Sequence, residues 1–362
     1  MRVIYTLYCG WEKMKAIRFY APLDVRFEEV DIPKIGPEEI LVKVEAALTC
    51  GTDVKIYRRG YPMIKPPLIF GHEFAGIVVK VDEKITQFNE GQRVVAANSA
   101  PCNLCFFCKI GKPNLCEHLL ETLIGFSVDG AYAEYIRVPA RIVKQNTYKV
   151  PDHVPFEEAA LLEPLACAVN GNDAANIKIG DAVAVIGAGP IGLMHIQLAK
   201  IKGATNVICT DLKEERLKVA SEVGADAVID ASKEDQLKSI RELTNGLGAD
   251  VVIEAVGLPQ TWELAVEMTR KAGTTVLFGG CPSGTKIALD TERIHYGDLT
   301  IKGIFHHTPL SVKRAYELIT SGMFKGRPLI TDKLPLSELE QALKMMIEGR
   351  CIKMEIIPSA FQ

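Results

Sequence analysis

Residues 181–211 read DAVAVIGAGPIGLMHIQLAKIKGATNVICTD, and this segment organises the whole chain. Its apolar run 182–186 is typical of a strand buried on both faces. The turn GAGPIG follows at 187–192, apolar residues then recur at helical spacing, and a second apolar run ends on Asp211. This order of strand, glycine turn, helix, strand and terminal acid predicts a unit that binds a dinucleotide.

The residue types of the turn suit a bound diphosphate. Gly187 permits the tight turn, Gly189 lets the backbone approach a pyrophosphate, and Gly192 lets the helix pack closely on the strand. Pro190 and Ile191 begin the helix, whose unpaired N–H groups would hold the diphosphate. We therefore expect all five residues to border the cofactor.

The acid at the end of the second strand bears on the choice of cofactor. Asp211 can accept hydrogen bonds from the adenosine ribose, and its charge would repel a 2′-phosphate, so the sequence favours NAD. Lys213 and Arg216 follow closely and leave some room for NADP. Arg216 is therefore a candidate cofactor contact as well.

Strand-like and helix-like segments alternate beyond Asp211. The predicted strands are 227–229, 250–255, 274–278 and 299–303, and the predicted helices are 213–223, 233–243 and 261–271. With the first two strands this makes six, which predicts an α/β fold with a doubly wound parallel sheet. The beginning of the chain is different, because β-type runs at 15–19, 25–30 and 39–46 predict a mostly-β region.

Composition and charge exclude several classes of partner. A chain of 362 residues predicts two domains. With 42 Lys and Arg against 45 Asp and Glu, the net charge of −3 gives no reason to expect nucleic acid or an anionic membrane surface as a partner. No apolar run approaches the roughly 20 residues of a membrane helix.

The cysteines and the N-terminus indicate a cytoplasmic protein. The opening MRVIYTLYCGWEKMK lacks a cleavage site for a signal peptide, and residues 1–13 read either as an extension before Met14 or as an over-called start. Ten cysteines without an export signal point to a reducing compartment and to metal ligation rather than disulfides.

Four of these cysteines have the spacing of a structural metal site. They are Cys102, Cys105, Cys108 and Cys116. Four thiolates can close a tetrahedron around zinc and leave no open position, so the predicted role is structural. An iron–sulfur cluster is the lesser alternative, because the bacterial ferredoxin run has a shorter last gap followed by proline.

Two further segments, TCGT at 49–52 and GHEFAG at 71–76, contain ligands that suit a catalytic zinc ion. Taken alone, Cys50 is more simply a small buried apolar residue and His72 a hydrogen-bonded core histidine. Their occurrence ahead of the four-cysteine segment and the glycine turn changes that interpretation.

In this order, the motifs resemble those of the zinc-containing medium-chain alcohol dehydrogenase superfamily. The resemblance extends from about Met14 to Pro358. The resemblance implies a GroES-like, mostly-β catalytic domain at 1–165 and 305–362, with a zinc lobe at about 98–120. It also implies a Rossmann NAD-binding domain at 166–304 and assembly into a homodimer or homotetramer.

Within the superfamily, LEPLA at 162–166 resembles the polyol (sorbitol-type) dehydrogenase branch. That match implies a catalytic zinc ion held by Cys50 and His72, with Glu73 and Glu163 as the acidic partners, one bound directly and the other behind it. The resemblance therefore implies two zinc ions per chain, one catalytic and one structural. Thr52 matches the hydroxyl that begins the proton relay.

The same resemblance implies cofactor contacts outside the glycine turn, namely at Val256, at Phe305 and at Lys353 where an arginine often meets the pyrophosphate. The chain departs from the family pattern at two positions. Asp82 replaces a glycine after the GHE motif, where a turn can still form. Lys55 replaces the histidine that commonly ends the proton relay, which leaves the path beyond Thr52 open.

The resulting hypothesis is a zinc enzyme that transfers a hydride between a secondary alcohol, such as a polyol or cyclitol, and NAD. One alternative is the same reaction on a 3-hydroxy amino acid, as in L-threonine 3-dehydrogenase. Another is a catalytically silent zinc protein that senses redox state. About two zinc ions per chain would favour an enzyme, and about one the silent protein.

Overall fold

The computed structural model describes residues 12–358 of the chain. Its strands are β1 (Lys13–Ala21), β2 (Asp24–Asp31), β3 (Ile40–Leu48), β4 (Leu68–Ile69), β5 (Glu73–Val81), β6 (Arg93–Ala96), β7 (Tyr135–Val138), β8 (Thr147–Lys149), β9 (Ala182–Ile186), β10 (Asn206–Asp211), β11 (Ala227–Asp230), β12 (Ala249–Glu254), β13 (Thr269–Leu277), β14 (Thr300–Gly303), β15 (Ile330–Pro335) and β16 (Lys353–Ile357). Its α-helices are α1 (Gly51–Arg59), α2 (Phe106–Lys109), α3 (Ala140–Gln145), α4 (Phe156–Ala159), α5 (Leu162–Ala175), α6 (Pro190–Ile201), α7 (Glu214–Glu222), α8 (Gln236–Leu243), α9 (Pro259–Met268), α10 (Thr291–Tyr296), α11 (Pro309–Thr320) and α12 (Leu339–Glu348).

The chain forms two compact units. The first consists of the described residues within Met1–Glu163 and Ile330–Gln362, and the second of Pro164–Leu329. The first boundary lies close to the predicted 165/166, but the second lies at 329/330 rather than at 304/305. Residues 305–329 belong with the second unit, and hydrogen bonds to its helix α6 hold them against it. Gln197 of α6 donates to the Lys325 carbonyl at 3.1 Å and accepts from the Lys325 N–H at 2.8 Å.

The second unit contains a six-stranded sheet in the order β11-β10-β9-β12-β13-β14. Every neighbouring pair is parallel. The strand order reverses beside β9, where doubly wound sheets bind their ligands, and the glycine turn follows β9 there. Val183, Ala184 and Val185 of this strand are fully buried, as the apolar run predicted. The predicted Rossmann fold is confirmed.

The first unit is mostly β. A three-stranded sheet runs β2-β1-β4, and a larger sheet runs β15-β16-β3-β5-β6-β8 with β7 also paired to β3. One apolar core fills the unit and includes Phe19, Phe70 and Phe74, none more than 2% exposed. The three β-type runs predicted near the N-terminus correspond to β1, β2 and β3, and the predicted GroES-like architecture is confirmed.

Element ends differ from the predictions for local reasons. The helix predicted at 261–271 is observed as α9, Pro259–Met268. Proline is well tolerated at the first helical position, so the helix begins there. Thr269 adopts an extended backbone with φ −75° and ψ 130°, which ends the helix and begins β13 earlier than the predicted residue 274.

Candidate active site

The candidate metal-binding residues Cys50, His72 and Glu73 lie together in the first unit. Their ligand atoms are all within 4.8 Å of one another. Antiparallel pairing of β3 with β5 sets Leu48 opposite Glu73 and so brings the segment after β3 to the residues that begin β5. Cys50 is also the N-cap of α1, which turns the chain away from the sheet immediately after the thiol.

Asp53 orients this group, although the sequence analysis did not identify it. Its Oδ2 accepts from the Cys50 N–H at 2.8 Å and from the Tyr132 hydroxyl at 2.7 Å. Its Oδ1 lies 3.5 Å from Nδ1 of His72. Burial lowers the pKa of His72, but the negative charges of Asp53 and Cys50 outweigh that effect and hold the pKa well above its usual range. Only the reciprocal cap of α1 by Asp53 could have signalled this role from sequence.

Lys353, predicted to contact the cofactor pyrophosphate, is buried beside Glu73. Its side chain is 1% exposed, and its ammonium donates to the Thr49 carbonyl at 2.7 Å and forms an ion pair with Glu73. The charge is therefore enclosed within the first unit, and the predicted contact with the cofactor pyrophosphate stays a prediction. Burial lowers the pKa of Lys353, but the negative charges around it, Glu73 foremost and then Cys50 and Asp53, outweigh that effect and raise the pKa above its usual value.

The donor set fits a zinc ion. Thiolate, imidazole and carboxylate are its usual ligands, and three of them leave a position open for substrate. Among the described residues, Oε1 of Glu73 is buried and has no hydrogen-bond partner. Buried polar atoms in native proteins nearly always have a partner, so this oxygen indicates a cation-binding site or a rearrangement around one.

Glu163 and Thr52, the other predicted catalytic residues, belong to the same unit. Glu163 is 6% exposed and lies in the first turn of α5. Burial raises the pKa of Glu73, Lys353 and His72 oppose that rise, and the charge of Glu163 adds to it, so the two carboxylates are electrostatic neighbours. Thr52 lies in the first turn of α1, and its N–H donates to Cys50 Sγ at 3.4 Å.

The two departures from the family pattern have simple structural outcomes. The chain still turns at Asp82, because the Asp82 carboxylate accepts hydrogen bonds from the N–H groups of Glu38 at 2.9 Å and Lys84 at 3.2 Å. Asp82 is not among the residues with positive φ, so the turn does not need a left-handed conformation. Lys55 is exposed on α1.

The four-cysteine cluster is also assembled in the first unit. The ligand atoms of Cys102, Cys105, Cys108 and Cys116 lie within 4.8 Å of one another. Cys105 Sγ is 3.5 Å from Cys108 Sγ and 3.8 Å from Cys116 Sγ. A disulfide would require about 2.05 Å, whereas four sulfurs each about 2.3 Å from zinc are about 3.8 Å apart. The spacing is that of a closed tetrahedral site.

Backbone N–H groups lower the pKa of two of these thiols, which favours the thiolate form that binds metal. The N–H groups of Leu104 at 3.4 Å and Cys105 at 3.3 Å donate to Cys102 Sγ, and with the neighbouring thiols they lower the pKa of Cys102 to about 6 against the opposing effect of burial. A backbone N–H also lowers the pKa of Cys105. Burial instead raises the pKa of Cys108 to about 12, so this thiol needs a cation to ionise at neutral pH.

Replacing a ligand of the four-cysteine cluster should cost stability rather than chemistry. We expect Cys102→Ser to lose about one zinc ion per chain and to lower the apparent Tm by about 4–8 °C, the shift for about 2 kcal/mol in a domain of this size. Metal analysis and thermal unfolding measure both effects. Cys281→Ser, outside the metal-ligand groups of the described residues, is the control. Unchanged zinc content in Cys102→Ser would contradict the assignment.

The glycine turn of the second unit has the predicted geometry. Gly187 has φ +98°, and a side chain on Gly192 would begin 1.8 Å from the Gly187 carbonyl oxygen. A side chain on Gly189 would meet nothing within 4 Å, so open space lies beside this peptide. Pro190 begins α6 and is followed by Ile191. The turn therefore leaves the N-terminus of α6 accessible to an anion.

Asp211 caps this turn. Its Oδ2 accepts from the Ala188 N–H at 2.7 Å and its Oδ1 from the Lys213 N–H at 2.9 Å, which leaves further acceptor capacity on both oxygens. Arg216 lies on α7, and its Nε has no hydrogen-bond partner among the described residues.

The other two predicted cofactor contacts, Val256 and Phe305, are 46% and 56% exposed. These exposed fractions are large for apolar side chains.

Among residues 12–358, every helix is too short or too polar to span a membrane.

Comparison with known proteins supports one family. The description "Alcohol dehydrogenase GroES-like domain" matches residues 36–152, and "Zinc-binding dehydrogenase" matches residues 190–321. L-threonine 3-dehydrogenase of Bacillus licheniformis is 38% identical over 92% of this chain and 95% of its own. Sorbitol dehydrogenase of Bacillus subtilis is 32% identical over 96% of this chain and 98% of its own.

A solved structure agrees with these matches. A Sinorhizobium meliloti protein bound to NADP superposes with a TM-score of 0.90 at 33% identity, over 96% of this chain and all of its own. Similarity of this extent covers both units, the segment with the thiols and the glycine turn. The chain therefore belongs to the zinc-containing medium-chain alcohol dehydrogenase superfamily, and it is an oxidoreductase that uses zinc and a nicotinamide cofactor.

Proposed function

We propose that this protein oxidises a secondary alcohol of a polyol or cyclitol, with NAD as the hydride acceptor. The observation that carries the proposal is the convergence of Cys50, His72 and Glu73 within 4.8 Å, with Glu73 Oε1 buried and without a hydrogen-bond partner among the described residues. Zinc bound there would lower the pKa of a coordinated hydroxyl, which makes its carbon a better hydride donor.

The protein's own residues position and deprotonate the alcohol in this proposal. Cys50 and His72 hold the metal, and Asp53 fixes the ring of His72. Either Glu73 or Glu163 completes the ligand set while the other remains behind it. Thr52, at the start of α1, receives the alcohol proton, which then moves towards solvent. Gly187–Gly192, Val256 and Phe305 bind the dinucleotide.

We also propose NAD rather than NADP as the physiological cofactor, although the related Sinorhizobium meliloti structure contains NADP. Asp211 ends β10 with acceptor capacity for ribose hydroxyls. A charged acceptor at this position disfavours a 2′-phosphate.

Removing the charge of Asp211 should weaken NAD binding. We expect Asp211→Asn to raise the KM for NAD about tenfold, the effect of losing about 1.4 kcal/mol, and to affect NADP less or improve it. Initial rates at varied cofactor concentration measure this. Asp226→Asn is the matched control, because Asp226 also accepts a backbone N–H of this sheet at 2.7 Å. Equal losses for NAD and NADP would contradict the assignment.

A second candidate substrate is a 3-hydroxy amino acid. The L-threonine 3-dehydrogenase relative is more similar to this chain than the sorbitol dehydrogenase relative, at 38% against 32% identity. Reduction of NAD should be measured with sorbitol, other polyols, inositols, L-threonine and simple secondary alcohols. A kcat/KM at least tenfold higher for a polyol or cyclitol than for L-threonine supports the first proposal, and the reverse supports the second.

The remaining parts of the proposal are metal content, assembly and location. An enzyme should contain about two zinc ions per chain, whereas a silent redox sensor should contain about one. We further propose a cytoplasmic homodimer or homotetramer. Metal analysis combined with light scattering of the purified protein tests stoichiometry and assembly together.

A further inference from the structure

We infer that Tyr132 is a positioning residue that sets the metal affinity of His72 through Asp53. Tyr132 lies between β5 and β7 in the chain and is the largest of the fully buried side chains. It has no part in the proposed proton relay or in cofactor binding. The inference rests on the proposed metal site at Cys50 and His72, and it assigns a role to a hydroxyl outside the predicted ligands.

The first argument is the hydrogen bonding of Asp53. This carboxylate is fully buried, and both donors that it has, the Tyr132 hydroxyl and the Cys50 N–H, reach the same oxygen, Oδ2. Two donors from different parts of the chain fix the plane of the carboxylate. Oδ1 consequently faces Nδ1 of His72 at 3.5 Å and has no other partner among residues 12–358.

This orientation decides which ring nitrogen of His72 binds the metal. When a carboxylate accepts a hydrogen bond from Nδ1–H, the imidazole is held in the tautomer with a lone pair on Nε2. Such partners of ligand histidines typically change metal affinity by about 10–100-fold when they are removed. The carboxylate can do this only while its own rotation is restrained, and the Tyr132 hydroxyl supplies one of the two restraints.

The second argument is the packing of the tyrosine ring against the peptide before His72. Gly71 has φ +89°, and a side chain there would begin 2.8 Å from the ring of Tyr132. The Ala131 N–H donates to the Gly71 carbonyl at 2.9 Å. The ring thus fixes the turn that presents His72, while its hydroxyl fixes the acid that faces His72.

Tyr132→Phe separates these two contributions, because it keeps the ring and removes only the hydroxyl. The matched control is Tyr57→Phe, since the Tyr57 hydroxyl of the same unit also donates to a carboxylate, Glu340, at 2.7 Å. Zinc affinity is measured on the full chain by competition with a chromophoric chelator. The step that disappears in Cys50→Ser identifies the site.

We expect Tyr132→Phe to weaken this step about tenfold and Tyr57→Phe to change it less than twofold, at similar losses of Tm. In an Asp53→Asn background the effect of Tyr132→Phe should vanish, because the hydroxyl acts through that carboxylate. The inference is overturned if Tyr132→Phe binds zinc like the wild type, if Tyr57→Phe weakens it equally, or if the loss persists with Asp53→Asn. If Cys50→Ser removes no zinc-binding step, the proposed metal site itself fails.

Discussion

Cys50→Ala is expected to abolish turnover and to leave dinucleotide binding nearly intact. The variant removes one of three ligands whose donor atoms lie within 4.8 Å of one another. Metal activation of a hydroxyl supplies several kcal/mol, and each 1.36 kcal/mol is tenfold in rate, so kcat should fall at least about 10³-fold. The glycine turn belongs to the other compact unit, so the Kd for NADH should change less than about twofold.

Three measurements on Cys50→Ala distinguish loss of chemistry from loss of fold. Metal analysis should show about one zinc ion fewer per chain, fluorescence titration should show bound NADH, and steady-state rates should show no activity. Cys351→Ala is the control, because Cys351 is a buried cysteine of the same unit outside the metal-ligand groups of the described residues. Retained activity in Cys50→Ala, with its zinc content unchanged, would refute the proposed catalytic site.

Local patterns were sufficient for the second unit. The residues of the glycine turn have individual steric requirements, such as the 1.8 Å approach at Gly192, and few other sequences satisfy them. The alternation of apolar runs and helical spacing then predicted a doubly wound parallel sheet, because parallel strands with crossover helices allow few topologies. The four cysteines were predictable for the same reason, since their spacing alone brings the thiols together.

Long-range contacts could not be predicted in this way. Asp53 and Tyr132 meet across 79 positions of the chain, and Lys353 meets Glu73 across 280. Neither contact has a periodicity or spacing that a sequence displays. The pairing of Lys353 with Glu73 was not predicted because a lysine on a strand is normally solvated, and only its enclosure beside a buried carboxylate makes this one part of the core. The boundary at 329/330 was not predicted, because the hydrogen bonds between Gln197 and Lys325 span 128 positions of the chain.

Lys353→Met is expected to destabilise the first unit strongly. The ammonium and the Glu73 carboxylate are 1% and 0% exposed, and removal of the lysine leaves a buried acid without its charged partner. Breaking such a pair on one side typically costs about 3–5 kcal/mol, because the remaining charge stays desolvated. In a unit of this size we expect the apparent Tm to fall by about 10 °C.

Adding Glu73→Gln decides whether the stability lost in Lys353→Met is due to the unpaired charge. Glu73→Gln combined with Lys353→Met removes both charges, so the double variant should recover most of the lost stability, with a coupling of at least about 1.5 kcal/mol in the double-mutant cycle. Lys43→Met is the matched control, because its pair with Glu45 at 2.9 Å is partly exposed and should contribute at most about 1 kcal/mol. If Lys353→Met and the double variant unfold at the same denaturant concentration, the methionine disturbs packing rather than charge. The ion pair would then not be what holds Glu73 beside Cys50 and His72.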